Sequence, residues 1–165
     1  MLTLSDDGTN ICKWYVDASF AIHPDMRGHT GSILSMGKGS IQAKSIKQKL
    51  NTKSSTEAEL IGSDDVLPDI LWTGYFLEKQ GYGVYRNVMM RDNKSCILLE
   101  TNGQLSSSKR TKHINVRYFF IKDRIEKGDL KIKYCPTKKM IADFFTKPLQ
   151  GTKFEEFRKL ILNTK

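Results

Sequence analysis

Cysteine and histidine are scarce in this chain, three of each among 165 residues. Cys12, Cys96 and Cys135 stand far apart, form no Cys-x-x-Cys pair and have no histidine at ligand spacing. That argues against both a zinc site and a disulfide framework, and leaves buried, reduced thiols as the expectation. No apolar run approaches the roughly 18 residues of a membrane span. The opening MLTLSDDGTNIC lacks the basic-then-apolar order of a secretory signal. Its abruptness points to a domain cut from a longer protein. Internal repeats and low-complexity tracts are also missing. Acid is in short supply, with 18 Asp and Glu against 27 Lys and Arg, a net charge of +9. Such an excess attracts polyanions such as nucleic acid, although many basic proteins bind none. Any acidic cluster in this chain therefore stands against a positive background.

What is present suits one globular domain: 39% hydrophobic and 27% charged residues over a length that can bury a real core. Lys13–Phe20 alternates as a strand, with Trp14, Val16 and Ala18 on one face and Tyr15, Asp17 and Ser19 on the other. Ala21–His29, with Pro24 and Gly28, reads as a loop or hairpin, and places His23 and His29 in solvent. Gly31–Met36 and Ser40–Lys47 read as two further strands around Gly37-Lys38-Gly39. A long helix opens at Ser54-Ser55-Thr56, where Ser54 with Glu57, or Thr56 with Glu59, fits a capping box. Pro68 is expected to kink or split it, and Gly81 and Gly83 close it. Trp72, Tyr75 and Phe76 read as core.

Val88–Arg91 reads as a buried strand ended by Asp92, and Asn93 suits the N-cap of a short helix over Lys94–Glu100. Ser106–His113 is a basic loop, Ile114–Lys127 a helix closed by Gly128, and Leu130–Tyr134 a strand stopped by Pro136. A helix from Met140 to before Pro148 and a tail helix over Thr152–Leu162 complete the chain. The order is β-β-β-α-β-α-α-β-α, an α/β fold with helices packed on a mixed sheet.

Four acids sit where a solvated charge is unexpected. Asp17 lies mid-strand, where a carboxylate is costly unless paired or metal-bound. Glu59 stands among Ala58, Leu60 and Ile61, Asp92 ends a buried strand, and Asp143 follows Ile141-Ala142 and precedes Phe144-Phe145. Each has a bland reading as a turn cap, capping-box partner or helix cap. All four bland readings would have to hold together. Carboxylates and water suit Mg²⁺ or Mn²⁺, and two such ions about 4 Å apart can hydrolyse a phosphodiester.

The segments YVDASF, SSTEAEL, RDNKSCILL, SKRTKHINVRYFFIKDRI and IADFFTKPLQG resemble the ribonuclease H domain of copia-type LTR retrotransposon polyproteins, from about Lys13 to Gly151. The resemblance implies a domain over residues 1–151 followed by a tail helix at 152–165. It implies a ribonuclease H-like fold, with a mixed five-stranded sheet whose first three strands are antiparallel and last two parallel to the first. It also implies an endonuclease that hydrolyses the RNA strand of RNA–DNA hybrids with two Mg²⁺ ions, Mn²⁺ as a possible substitute. A reverse transcriptase of the same polyprotein would be its partner, within cytoplasmic virus-like particles.

Carried over by position, Asp17 would bridge both ions and Glu59, rather than Glu57, would bind the ion on the leaving side. Asp92 and Asp143 would complete the site, Asp143 toward the water-activating ion. The order Asp, Glu, Asp, Asp differs from related integrases, whose glutamate comes last. Many cellular members of the fold carry a histidine in the loop before the last acid. Here that loop is Cys135–Met140 and has none, leaving Lys138, Lys139 or His113 as auxiliary candidates. Candidate substrate contacts are Ser19, Asn93, Ser95, Lys109, Arg110, Lys112 and His113. The alternative function is a ribonuclease H-fold module that binds nucleic acid or a reverse transcriptase without cutting.

Overall fold

The computed structural model describes residues 1–83, 86–102 and 112–164, with the backbone alone for 112–116 and 118. Nine residues of alternating pattern, Ile11–Ser19, form the central strand β2. It follows a two-residue strand β1 (Ser5–Asp6) and pairs antiparallel with β3 (Arg27–Ser35). The loop between them is therefore shorter than the sequence suggests, and His29 lies on β3. Gly37–Lys38 (β4) pairs with β1 in a small second sheet that the sequence pattern does not announce. A side chain at position 37 would strike the Ser5 carbonyl, so only glycine lets the two strands close. β5 (Gln42–Asn51) adds to the outer edge of β3.

Helix α1 (Ser55–Lys79) returns across the sheet. The Ser54 hydroxyl accepts from Glu57 N–H, while the Glu57 carboxylate reaches back to Lys53 N–H at 2.7 Å, one residue further than a capping box predicts. The helix is not split at Pro68. That residue faces solvent, where water can satisfy the carbonyl one turn back. Buried Val66, Leu67 and Ile70 hold the helix to the sheet on either side.

β6 (Arg86–Arg91) lies parallel to β2 on its other side, and β7 (Leu130–Tyr134) parallel to β6. Between them run α2 (Lys94–Asn102), capped by Asn93, and α3 (Lys112–Glu126). The five-stranded order is β5-β3-β2-β6-β7, with the first three strands antiparallel and the last two parallel to β2, as expected. Cys12, Trp14 and Val16 of β2 meet Leu60, Leu67 and Ile70 of α1, Met89 of β6 and Ile121 of α3 in one core.

The expected helix after Met140 is instead a 3₁₀ turn over Ile141–Phe145. Pro148 disfavours helical backbone at Lys147, so the segment is too short for an α-helix to propagate. The tail forms α4 (Gly151–Leu162), which buries Phe157 and Ile161 and ties to the body through Ser40 N–H to the Ile161 carbonyl. Trp72, Tyr75 and Phe76, expected in the core, are exposed: Leu71 and Leu77 of the same turns pack on the core, which leaves these three on the outer face of α1, where Trp72 stacks on Phe76. Among the described residues no helix is long and apolar enough to cross a membrane.

Candidate metal centre

Two glycines decide where the acids meet. A Cβ at Gly62 would lie 3.3 Å from the Ala18 Cβ, so α1 approaches β2 closely one turn beyond Glu59. Gly31 is the antiparallel partner of Asp17. A side chain there would meet Thr146, the Ala142 carbonyl and Phe145 at 3.0 Å or less. Its absence lets the 3₁₀ turn rest on the sheet and sets Asp143 near Asp17.

Asp17, Glu59 and Asp92 each offer a carboxylate oxygen, and the three oxygens lie within 4.8 Å of one another. Asp17 and Glu59 are buried, and Asp92 is half-buried at the end of β6. Glu59, not Glu57, is the helix glutamate in this cluster. The fourth acid, Asp143, is also buried, but both of its oxygens are held by lysines. Lys147 Nζ lies 2.7 Å from Oδ1 and Lys153 Nζ 2.7 Å from Oδ2. Lys147 also stands 3.4 Å from the Asp17 carboxylate and so links the two acids. Thr146 donates to Asp17 Oδ2, and Thr137 donates to Asp92 Oδ2 at 2.9 Å.

Burial raises the Asp17 pKa above its usual range, against the pull of Lys147 and the Thr146 hydroxyl. Burial pushes Glu59 up to about 8, because the attraction of Arg91 does not offset the lost hydration and the nearby Asp17 and Asp92 add repulsion. Glu59 Oε2 sits 2.9 Å from an Arg91 nitrogen, yet it receives no hydrogen bond. That nitrogen donates to the Glu59 carbonyl at 2.7 Å and to Cys96 Sγ at 3.3 Å, which uses both of its hydrogens. A buried carboxylate oxygen without a donor, beside two further carboxylates, fits a hard divalent cation.

The other candidate residues are placed less uniformly. The Ser19 hydroxyl is buried and donates to the Thr146 carbonyl at 2.9 Å, so it is committed within the fold. Asn93 Oδ1 caps α2, and Ser95 is exposed on the first turn of that helix. Lys138 and Lys139 are exposed on a second 3₁₀ turn, Thr137–Lys139. Lys112 and His113 begin α3, their side chains outside the described residues; Lys109 and Arg110 lie outside them altogether. His23 and His29 are half-buried and joined at 3.0 Å rather than solvated, with His29 also 2.7 Å from Ser45 Oγ.

Sequence reasoning overlooks Arg91, Thr146, Lys147 and Lys153. Arg91 carries a signal, an arginine at the core-facing end of a buried strand. Lys153 carries none, because its proximity to Asp143 depends on how the tail helix docks.

The sheet order and its flanking helices define a ribonuclease H fold. LC11-RNase H1, isolated from compost by a metagenomic approach, superposes with a TM-score of 0.58 at 13% identity, covering 93% of this chain and 96% of that one. The same protein in complex with RNA/DNA hybrid gives 0.56 at 13% identity, over 78% and 88%. Prototype foamy virus protease-reverse transcriptase, CSH mutant, gives 0.52 at 14% identity, over 97% of this chain and 22% of that one. No family model matches the chain. In sequence it is 34% identical over 152 residues to the retrovirus-related Pol polyprotein from transposon TNT 1-94 of Nicotiana tabacum, and 34% over 149 residues to that from transposon RE1 of Arabidopsis thaliana. These matches cover 92% and 89% of the chain but only 11% and 10% of the relatives, so it spans about a tenth of their length. The chain belongs to the LTR-retrotransposon Pol polyproteins, as their ribonuclease H-fold domain.

Proposed function

We propose that the domain is a metal-dependent endonuclease that hydrolyses the RNA strand of RNA–DNA hybrids during retroelement reverse transcription. The observation that carries this reading is the Asp17–Glu59–Asp92 cluster, two of its acids buried and the third half-buried, with its donor-free Glu59 oxygen. Asp17, Glu59, Asp92 and Asp143 would hold two Mg²⁺ ions, or Mn²⁺ in their place. Such ions supply an activated water and charge stabilisation for the leaving oxygen.

The chain's own groups do the rest. Asp17 projects from the central strand, where the rigid sheet fixes it. Thr146 and Lys147 orient it from the last turn. Asn93, Ser95, Lys109, Arg110, Lys112 and His113 are the proposed contacts to the bound strands, as hydrogen-bond donors or cations suited to phosphate and 2′-hydroxyl groups. Lys138 and Lys139, beside Thr137 and hence near Asp92, are the auxiliary cations proposed in place of a loop histidine.

The structural relative crystallised with RNA/DNA hybrid supports the substrate. The Pol relatives and the foamy virus protease-reverse transcriptase support a reverse transcriptase partner and, through the retroelement life cycle, a particle context.

One observation favours a second reading. Asp143 is sealed by Lys147 and Lys153, which suits a module that binds nucleic acid or a reverse transcriptase without cutting. The deciding experiment offers the purified chain RNA–DNA hybrid, RNA duplex and DNA duplex, with Mg²⁺, Mn²⁺ or chelator, beside Asp17→Asn. Cutting confined to the hybrid, dependent on metal and lost in the variant, is expected. Binding without cutting in either metal would transfer the conclusion to the second reading.

A further inference from the structure

Arg91 is completely buried, unusual for a side chain that is almost always charged. Its guanidinium reaches three elements. One terminal nitrogen donates to the Val16 carbonyl of β2 at 3.0 Å. The other donates to the Glu59 carbonyl of α1 at 2.7 Å and to Cys96 Sγ of α2 at 3.3 Å. Cys96 in turn donates to the buried Glu100 carboxylate at 3.3 Å. Val16 immediately precedes Asp17, Glu59 is held by its own carbonyl, and Asp92 follows Arg91 in the chain. The planar fork therefore touches the backbone at or next to two of the three clustered acids, and the third is its neighbour in the chain.

We propose that Arg91 is the positioning residue that sets the spacing of Asp17, Glu59 and Asp92 for a divalent cation, an inference that rests on the metal-dependent reading above. Both hydrogens of the nitrogen near Glu59 go to the main chain and to sulfur. The arginine thus fixes where the glutamate stands while leaving Oε2 without a donor. Its charge also attracts the Glu59 carboxylate, whose Oε2 lies 2.9 Å away. A lysine ammonium supplies the same charge as a point and cannot make this set of bonds at once.

The test is Mn²⁺ binding by the whole chain, followed through the electron paramagnetic resonance signal of the free ion. Wild type, Arg91→Lys, Asp17→Asn and a core control that touches no acid of the cluster, Ile121→Val, are compared, with circular dichroism and Tm recorded for each. Arg91→Lys is expected to fold and to bind Mn²⁺ about 10- to 100-fold more weakly, the usual cost of removing a group that orients a ligand. Ile121→Val is expected to lower Tm with no change in affinity. If Arg91→Lys does not fold, Cys96→Ala, which removes only the sulfur acceptor, is expected to show a smaller loss in the same direction. Unchanged affinity in the variant that folds would overturn the proposal, as would a loss in Ile121→Val proportional to its drop in Tm. Wild type binding no more Mn²⁺ than Asp17→Asn would overturn the metal site itself, and the role of Arg91 with it.

Discussion

Gly31 stands directly opposite Asp17 in the β2–β3 pairing, and the space its missing side chain leaves is filled by Thr146, Phe145 and the Ala142 carbonyl. Gly31→Ala should therefore push the last turn off the sheet. Part of the obstruction is the Ala142 main chain, which cannot rotate away. A destabilisation of about 1–3 kcal/mol is expected, as for other overpacked sites, with a larger loss of hybrid cutting than of hybrid binding. Urea unfolding, paired with cleavage and filter-binding assays on the same preparation, checks both parts.

Asp17→Asn should reduce cutting at least about 100-fold, since loss of a direct ligand ought to exceed the cost of disturbing a supporting group. In chelator the same substitution should raise Tm, because it removes one of three crowded carboxylates while leaving an acceptor for Thr146. Paired melts in chelator and in Mg²⁺ would check this. A lower Tm in chelator would count against crowding as the dominant effect.

The stability of the metal-free protein should fall as pH rises. Glu59 takes up a proton more readily folded, at about 8, than unfolded, at its ordinary 4.5. The folded state thus binds more protons between those values, and ionising the buried acid works against folding. Asp17 shifts in the same direction. Stability is then greatest below about 4.5 as far as these groups decide it, and declines toward pH 8. Mg²⁺ at 100 times its Kd would add about 2.7 kcal/mol. That corresponds to roughly 5–11 °C in Tm for a chain of this size, and at one fixed Mg²⁺ concentration the gain should be larger at pH 8 than at pH 6. Differential scanning fluorimetry across pH, with and without Mg²⁺, checks the sign.

Lys153→Gln should strengthen metal binding. The lysine occupies one oxygen of Asp143 and competes with any cation there. It is partly exposed, so removing it should improve affinity by no more than about fivefold. Calorimetry reads the change, and the intact packing of Phe157 and Ile161 should leave Tm nearly unaltered.

Much of this architecture is legible in the residues. Alternation in Trp14, Val16 and Ala18 announces the central strand, and the Ser54–Glu57 spacing announces the start of α1. Asp17 and Glu59 are recognisable because each interrupts an apolar setting, and Asp92 because it ends a buried strand. What the sequence conceals depends on tertiary placement. Trp72 and Phe76 have the composition of core residues but lie on the outer face of α1, while Leu71 and Leu77 take the inner one. The segment around Asp143 has helical spacing but ends against Pro148. Ser19 looks available for substrate until the last turn supplies a carbonyl for its hydroxyl. The tail helix looks like packing alone, and the contact of Lys153 with Asp143 exists only once α4 is docked.

The most direct measurement uses an RNA–DNA hybrid with the two strands separately end-labelled, incubated with the wild-type chain in Mg²⁺ and then in chelator. Shortening of the RNA with the DNA intact, abolished by chelator, is the predicted result. A hybrid that is retained by the protein but stays whole in both strands, in Mg²⁺ and in Mn²⁺, would contradict it.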